Sequence, residues 1–153
     1  MTSLSQSIHP NLAVGESGMQ AAAQAVADFV KELQQGLDAH NAEISNHHFA
    51  GDVLWGGPFG ATVSGYEPLH AIHLRLQREG RGGPSRYEIE RVIAPAPGVA
   101  IAHVRRVALG HDDDKQLSFS EMALYVLVER GGTWWLAAGQ NTPVRAGLSA
   151  DGS

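Results

Sequence analysis

The chain contains no cysteine. That removes disulfides, thiolate nucleophiles and thiolate metal ligands together, and it suits a reducing compartment, so a cytoplasmic protein is expected. Basic residues are also scarce, with 11 Lys plus Arg against 16 Asp plus Glu and a net charge of −5. Nucleic-acid binding needs a basic footprint that displaces counterions from phosphates, so no nucleic-acid partner is expected. Arg75, Arg78, Arg81 and Arg86 do cluster, and they read as a solvated helix end and loop. No apolar run reaches membrane length, and no charged segment leads into an apolar one at the start, which argues against a membrane partner. A Gly-x-Ser-x-Gly elbow, a phosphate-binding loop and a dinucleotide fingerprint are all missing, so no cofactor is expected.

At 153 residues and 43% hydrophobic, the chain is long enough for one domain with a sizeable core. Residues 1–16 lack periodicity and read as a flexible arm, residues 17–144 as the folded domain, and residues 145–153 as a flexible tail. Ser17 with Gln20 three positions on resembles a capping box. The helix that follows has an apolar stripe of Ala22, Val26, Phe29, Val30, Leu33 and Leu37, with Gly36 as a plausible stop. A short helix over Asn41 to His48 leads through the link Phe49-Ala50-Gly51-Asp52 to a strand from Val53 to Gly56, and Thr62-Val63 suggests another. A third helix opens near Gly65, with Pro68 in its first turn. Strands are expected over Arg86–Ala94, Val99–Gly110, Leu117–Arg130 and Thr133–Thr142, with the aspartate-rich stretch His111–Lys115 as a solvated turn. Helices first and a strand meander last is an α+β pattern in which the helices cover one face of the sheet.

The last hairpin is the most legible element. Two apolar runs flank Gly131-Gly132. A three-residue loop, Arg130 to Gly132, would put Glu129 opposite Thr133. Trp134, Leu136, Ala138 and Gln140 would then share an apolar face with Met122, Leu124, Val126 and Val128. A two-residue loop would set Glu129 opposite Trp134 and Glu121 opposite Thr142, so the first register is expected. Trp135, Tyr125, Leu127 and Ala123 then form an opposite apolar face, for which a homodimer is expected.

Helical phase turns His73 inward, at i+4 from Leu69 and i−3 from Leu76, and sets His70 on a flank with Leu74 and Gln77. A histidine on such a stripe is either a hydrogen-bonded core residue or a cavity-lining one. Trp55 is core or pocket wall, and Gln140 either reads a ligand or caps a sheet edge. On the strand from Val99, His103 and Arg105 share a face with Ile101 and Val107. Were that face inward, Arg105 would need a buried partner, for which Glu121 is a candidate; otherwise Ala100, Ala102 and Val104 point in. Of eight histidines, the adjacent His47 and His48 diverge too far to share an ion, and His70 with His73 lacks a third ligand, so no metal site is expected. The expected ligand-binding set is Trp55, His73, His103, Arg105, Met122, Trp134 and Gln140, with His73 the candidate catalytic group.

The link Phe49-Ala50-x-Asp52, Gly65 opening a helix with His73, the Gly132-x-Trp134 turn and the ending Ala137-Ala138-Gly139-Gln140-Asn141-Thr142 together resemble the nuclear-transport-factor-2-like (NTF2-like, cystatin-like) superfamily. Within it they are similar to SnoaL-like and SgcJ/EcaC-type small bacterial proteins. The resemblance spans roughly residues 20 to 144. It implies a cone-shaped, curved antiparallel sheet covered by three helices, an internal cavity for a small, largely apolar metabolite, and commonly a dimer. Such proteins include cofactor-free acid/base enzymes and plain binding modules, so fold alone does not choose between them. The segment Phe49 to Pro58 looks like that of the superfamily's steroid isomerases. Where their general-base carboxylate precedes the proline this chain has Gly57, and their oxyanion-binding tyrosine falls on Phe29. Steroid-type isomerisation is therefore not expected.

Overall fold

The structure, a computed structural model, describes residues 8–80, 83–109 and 120–144. Along these the elements are α1 (Glu16–Asp38), α2 (Ala42–Ser45), β1 (Phe49–Gly56), β2 (Thr62–Ser64), α3 (Tyr66–Arg78), β3 (Ser85–Ala96), β4 (Val99–Ala108), β5 (Ser120–Arg130) and β6 (Thr133–Val144). The strands form one curled, unclosed sheet in the order β2-β1-β6-β5-β4-β3. Every pairing is antiparallel except β1 against β6. The helices lie on one face, α1 over β3 and β4 and α3 against β1, with α2 bridging the two helices. The stretch His111–Lys115, the start of the expected strand at Leu117, and residues 145–153 lie outside the described residues.

α1 buries Ala22, Ala25, Val26, Phe29, Val30 and Leu33, the expected stripe with Ala25 added and Leu37 only half-buried. Fully burying each larger aliphatic or aromatic side chain contributes about 1.5–3 kcal/mol, which is what holds a long amphipathic helix on a sheet. The Ser17–Gln20 box is not used. The helix begins at Glu16 behind Gly15, which makes no side-chain cap, and the acidic Glu16 stands in the first turn, where the helix dipole favours it. Gly36 is no stop either. It is buried, and a Cβ there would strike Ser45 and the carbonyl of Asn41, so its role is to let α2 approach. β1 starts earlier than expected, because Phe49 already pairs with Leu136. Within the stretch read as an arm, the Val14 N–H donates to the Ala94 carbonyl at 3.0 Å, and Val14 packs on the core.

β3 is an edge strand whose backbone needs partners other than a neighbouring strand. Gln34 of α1 supplies them: its amide donates to the Ser85 carbonyl at 3.0 Å and accepts from the Tyr87 N–H at 2.9 Å.

The hairpin corrects the expected register. Arg130 pairs with Thr133, and the turn is the two-residue Gly131-Gly132, with φ of 63° and 86°. Two positive φ values in succession suit the right-handed twist of the strands, and glycine reaches them without strain. Glu129 does face Trp134. Beyond Leu127 and Leu136 the pairing slips by one, so that Val126 meets Ala138, Leu124 meets Gln140 and Glu121 meets Pro143. Ala137 is the extra residue of a bulge. Before it, Trp134 and Leu136 face the helices; after it, Gly139 does. Ala138 and Gln140 therefore lie on the outer face with Trp135, while Tyr125, Leu127 and Ala123, expected outside, are buried inside.

Candidate functional site

The inner face of the sheet can be read as rows across the strands. Phe49, Leu136, Leu127 and Ala100 form one row, and Trp55, Gly139, Tyr125, Ala102 and Val92 the next. Gly139 makes room for the rings: a Cβ there would stand 2.8 Å from Trp55 and 3.3 Å from Tyr125. Phe29 meets Tyr125 edge-on at 5.4 Å, and Phe49 stacks on Trp55 at 5.7 Å. Two rows further along, the chemistry changes. Tyr87, Arg106 and Glu121 sit side by side on β3, β4 and β5. Arg106 Nη1 lies 3.4 Å from Glu121 Oε1, and both side chains are largely buried. Burial pushes the Glu121 carboxyl up, against the pull of Arg106. It also raises the phenols of Tyr87 and, much further, Tyr125, keeping both as neutral O–H groups.

α3 brings His73 over this surface, as its helical phase predicts. Its ring meets Trp55 edge-on at 5.4 Å and Phe49 at 6.0 Å. Behind it stands Asn46, the C-cap residue of α2, which is 1% exposed. Asn46 Nδ2 is 2.9 Å from His73 Nδ1 and 3.0 Å from His70 Nδ1, while its Oδ1 is 3.2 Å from His73 Nδ1. His70 is thus drawn into the same network instead of standing apart on a flank, and Tyr66 stacks on it at 5.1 Å. Desolvation, with His70 and then Arg106 adding to it, lowers the His73 pKa to about 4. The imidazole is neutral at pH 7.

Of the expected set, the structure brings Trp55 and His73 together, and Trp134 shares their face near the hairpin turn, packed on the core. His103, Arg105, Met122 and Gln140 lie on the other face. Ala100, Ala102 and Val104 are the inward residues of β4, so His103 and Arg105 point outward, Arg105 bonding Glu90 at 3.0 Å. Glu121 serves Arg106 instead of Arg105. Gln140 reaches the Gly57 carbonyl at 3.4 Å and, with Leu54, Leu124, Val126 and Ala138, lines a shallow outer groove of about 180 Å³. Asn46, Arg106, Tyr87 and Tyr125 were missed. Arg106 was in reach, since the alternative phase of β4 that puts Ala100, Ala102 and Val104 inside carries Arg106 in with them. Apart from this site, His48 Nδ1 lies 2.7 Å from Glu32, next to a hollow of about 360 Å³ lined by Glu32, Asn41, Glu43, Ile44 and His47.

Comparison with known proteins bears on the fold. No family model matches the sequence, and no curated protein does. Solved structures do match. An uncharacterised protein with a cystatin-like fold from Caulobacter vibrioides superposes with a TM-score of 0.68 at 19% identity, over 82% of this chain and 92% of that one. An NTF2-like protein of unknown function from Shewanella oneidensis gives 0.67 at 8% identity, over 78% and 98%. A ketosteroid isomerase-like protein from Erwinia carotovora atroseptica gives 0.64 at 17%, over 84% and 95%. The chain has the NTF2-like, cystatin-like fold. No helix among the described residues is long and apolar enough to cross a membrane.

Proposed function

We propose that the chain binds a small, largely apolar metabolite between α3 and the inner face of the sheet, and that His73 is the side chain which meets its polar group. The observation that carries this reading is the contrast within one surface: aromatic and aliphatic rows closed by the row Tyr87, Arg106 and Glu121, with a neutral imidazole above Trp55. A few convergent polar groups in an otherwise apolar interior fix a ligand's orientation. The more specific form of the proposal is a cofactor-free acid/base enzyme of SnoaL-like type acting in the cytoplasm. Glu121, raised by burial, is then the proton acceptor, and His73 and Arg106 stabilise the charge that develops. The alternative is a binding module with the same interior and no turnover.

A homodimer belongs to the same reading, on a corrected surface. The outer face shows Leu54, Ile93 and Leu124 exposed to solvent, with Val126, Val128 and Trp135 beside them. An apolar area of that kind is covered in most soluble proteins.

Titration of the protein with 2-naphthoate, followed by the aromatic side-chain NMR signals of Trp55, Tyr125 and His73 and the methyls of Leu54, Leu124 and Val126, tests the site. Shifts confined to the first group are expected. Shifts confined to the methyl group would move the site to the outer groove and end the proposal.

A further inference from the structure

We infer that Asn46 is a positioning residue that holds His73 as a hydrogen-bond donor toward the interior, so that the site receives an acceptor oxygen of the ligand, a carbonyl or carboxylate. The inference deepens the ligand-site reading above and rests on it.

A neutral imidazole carries one N–H, and the partner of one ring nitrogen decides the role of the other. Asn46 Nδ2 has two hydrogens and two imidazole nitrogens within reach, His73 Nδ1 at 2.9 Å and His70 Nδ1 at 3.0 Å. One hydrogen goes to each. Both Nδ1 atoms are then acceptors, and both rings carry their proton on Nε2. The amide oxygen, at 3.2 Å from His73 Nδ1, would accept from that nitrogen in the other tautomer, and it is the longer contact. Asn46 is 1% exposed, so water cannot take over these bonds, and a buried amide left without partners would cost about 1–3 kcal/mol.

The consequence reverses the arrangement that makes histidine a base. A carboxylate on Nδ1 can only accept; it places the proton on Nδ1 and leaves the Nε2 lone pair free to take one. An amide that donates to Nδ1 does the opposite. His73 Nε2–H, on the side of the ring away from Asn46, becomes a donor. Arg106 also carries N–H groups only and has no acceptor. Two donors of this kind select an oxygen with partial or full negative charge at His73 Nε2. An apolar body with a ketone, aldehyde or carboxylate at one end is the class that fits.

Long-range 1H–15N correlation spectra of histidine-labelled protein at pH 7 show directly which ring nitrogen carries the proton. Expected for the wild type are Nε2–H forms for both His73 and His70. Added 2-acetonaphthone, a neutral carbonyl probe, should move the His73 Nε2–H signal, and naphthalene, the same body without oxygen, should not. In Asn46→Asp, the proton should pass to His73 Nδ1, and affinity for 2-acetonaphthone should fall by about tenfold or more, the scale of one lost hydrogen bond, with naphthalene little changed. An Nδ1–H form of His73 in the wild type overturns the inference without need of any variant. Equal binding and equal shifts from the two probes overturn the ligand class. If neither probe perturbs His73 while the Nε2–H form is seen, the ligand-site reading falls and the assignment of Asn46 as the residue that sets the ring stands apart from it.

Discussion

Protonation of His73 sets a specific dependence of stability on pH. In the folded state its pKa is about 4, and the ordinary value is 6.5. The groups around the ring are His70 on its own helix, Asn46 from α2, Phe49 and Trp55 from β1, and Arg106 from β4. None of them is a carboxylate that would welcome the proton. As pH falls below 6.5 the unfolded chain takes up a proton that the folded chain refuses, so the contribution is complete above pH 6.5 and lost on the way down to 4. The linkage relation gives about 2 kcal/mol lost between pH 7 and pH 5, and about 3 kcal/mol by pH 4. Glu121 works in the opposite sense, since a carboxyl raised by burial loses stabilisation as pH rises. It is common to wild type and variant and cancels in the comparison. Urea unfolding of the wild type and of His73→Gln, which keeps an oxygen for the Asn46 amide, should show the wild type losing about 2 kcal/mol more between pH 7 and pH 5. Equal losses in the two proteins would refute the burial of a neutral His73.

Three other outcomes are expected. Gly139→Ala places a methyl against the rigid rings of Trp55 and Tyr125 and should lower stability by about 1–3 kcal/mol in thermal or urea melts; a neutral effect would mean that the ring cluster is loose. Leu124→Glu or Trp135→Glu, both on the outer face, should yield monomer or aggregate in light scattering, and a wild type that is monomeric at high concentration would remove the dimer proposal. With a β,γ-unsaturated ketosteroid, conjugation followed by absorbance should stay at the buffer rate, because Gly57 stands where the resemblance expects the isomerase base, Glu121 lies elsewhere on the sheet, and the loss of a base at that position costs about 10²- to 10⁴-fold.

The fold was legible because its signals are long and repeated. The stripe from Ala22 to Leu33 and the phase that turns His73 inward each rest on several residues that agree. The last hairpin failed for a local reason. Both of its faces are apolar, so alternation could not decide which was inside, and the unfavourable look of Glu121 opposite Thr142 counted against a two-residue turn. The two-residue turn puts Tyr125 and Glu121 on the inner face, Glu121 beside Arg106, and a single extra residue at Ala137 then moves Gln140 outside. Alternation cannot show such a slip. Asn46 was out of reach for another reason: it ends a four-residue helix, and its partners come 24 and 27 positions later.

A crystal structure of the protein with 2-acetonaphthone bound tests the central claim most directly. The account predicts the naphthalene body against Trp55 and Tyr125, with the carbonyl oxygen within hydrogen-bond distance of His73 Nε2 and on the side of Arg106. Ligand density in the outer groove beside Gln140 and Leu124, with the interior unchanged, would contradict it.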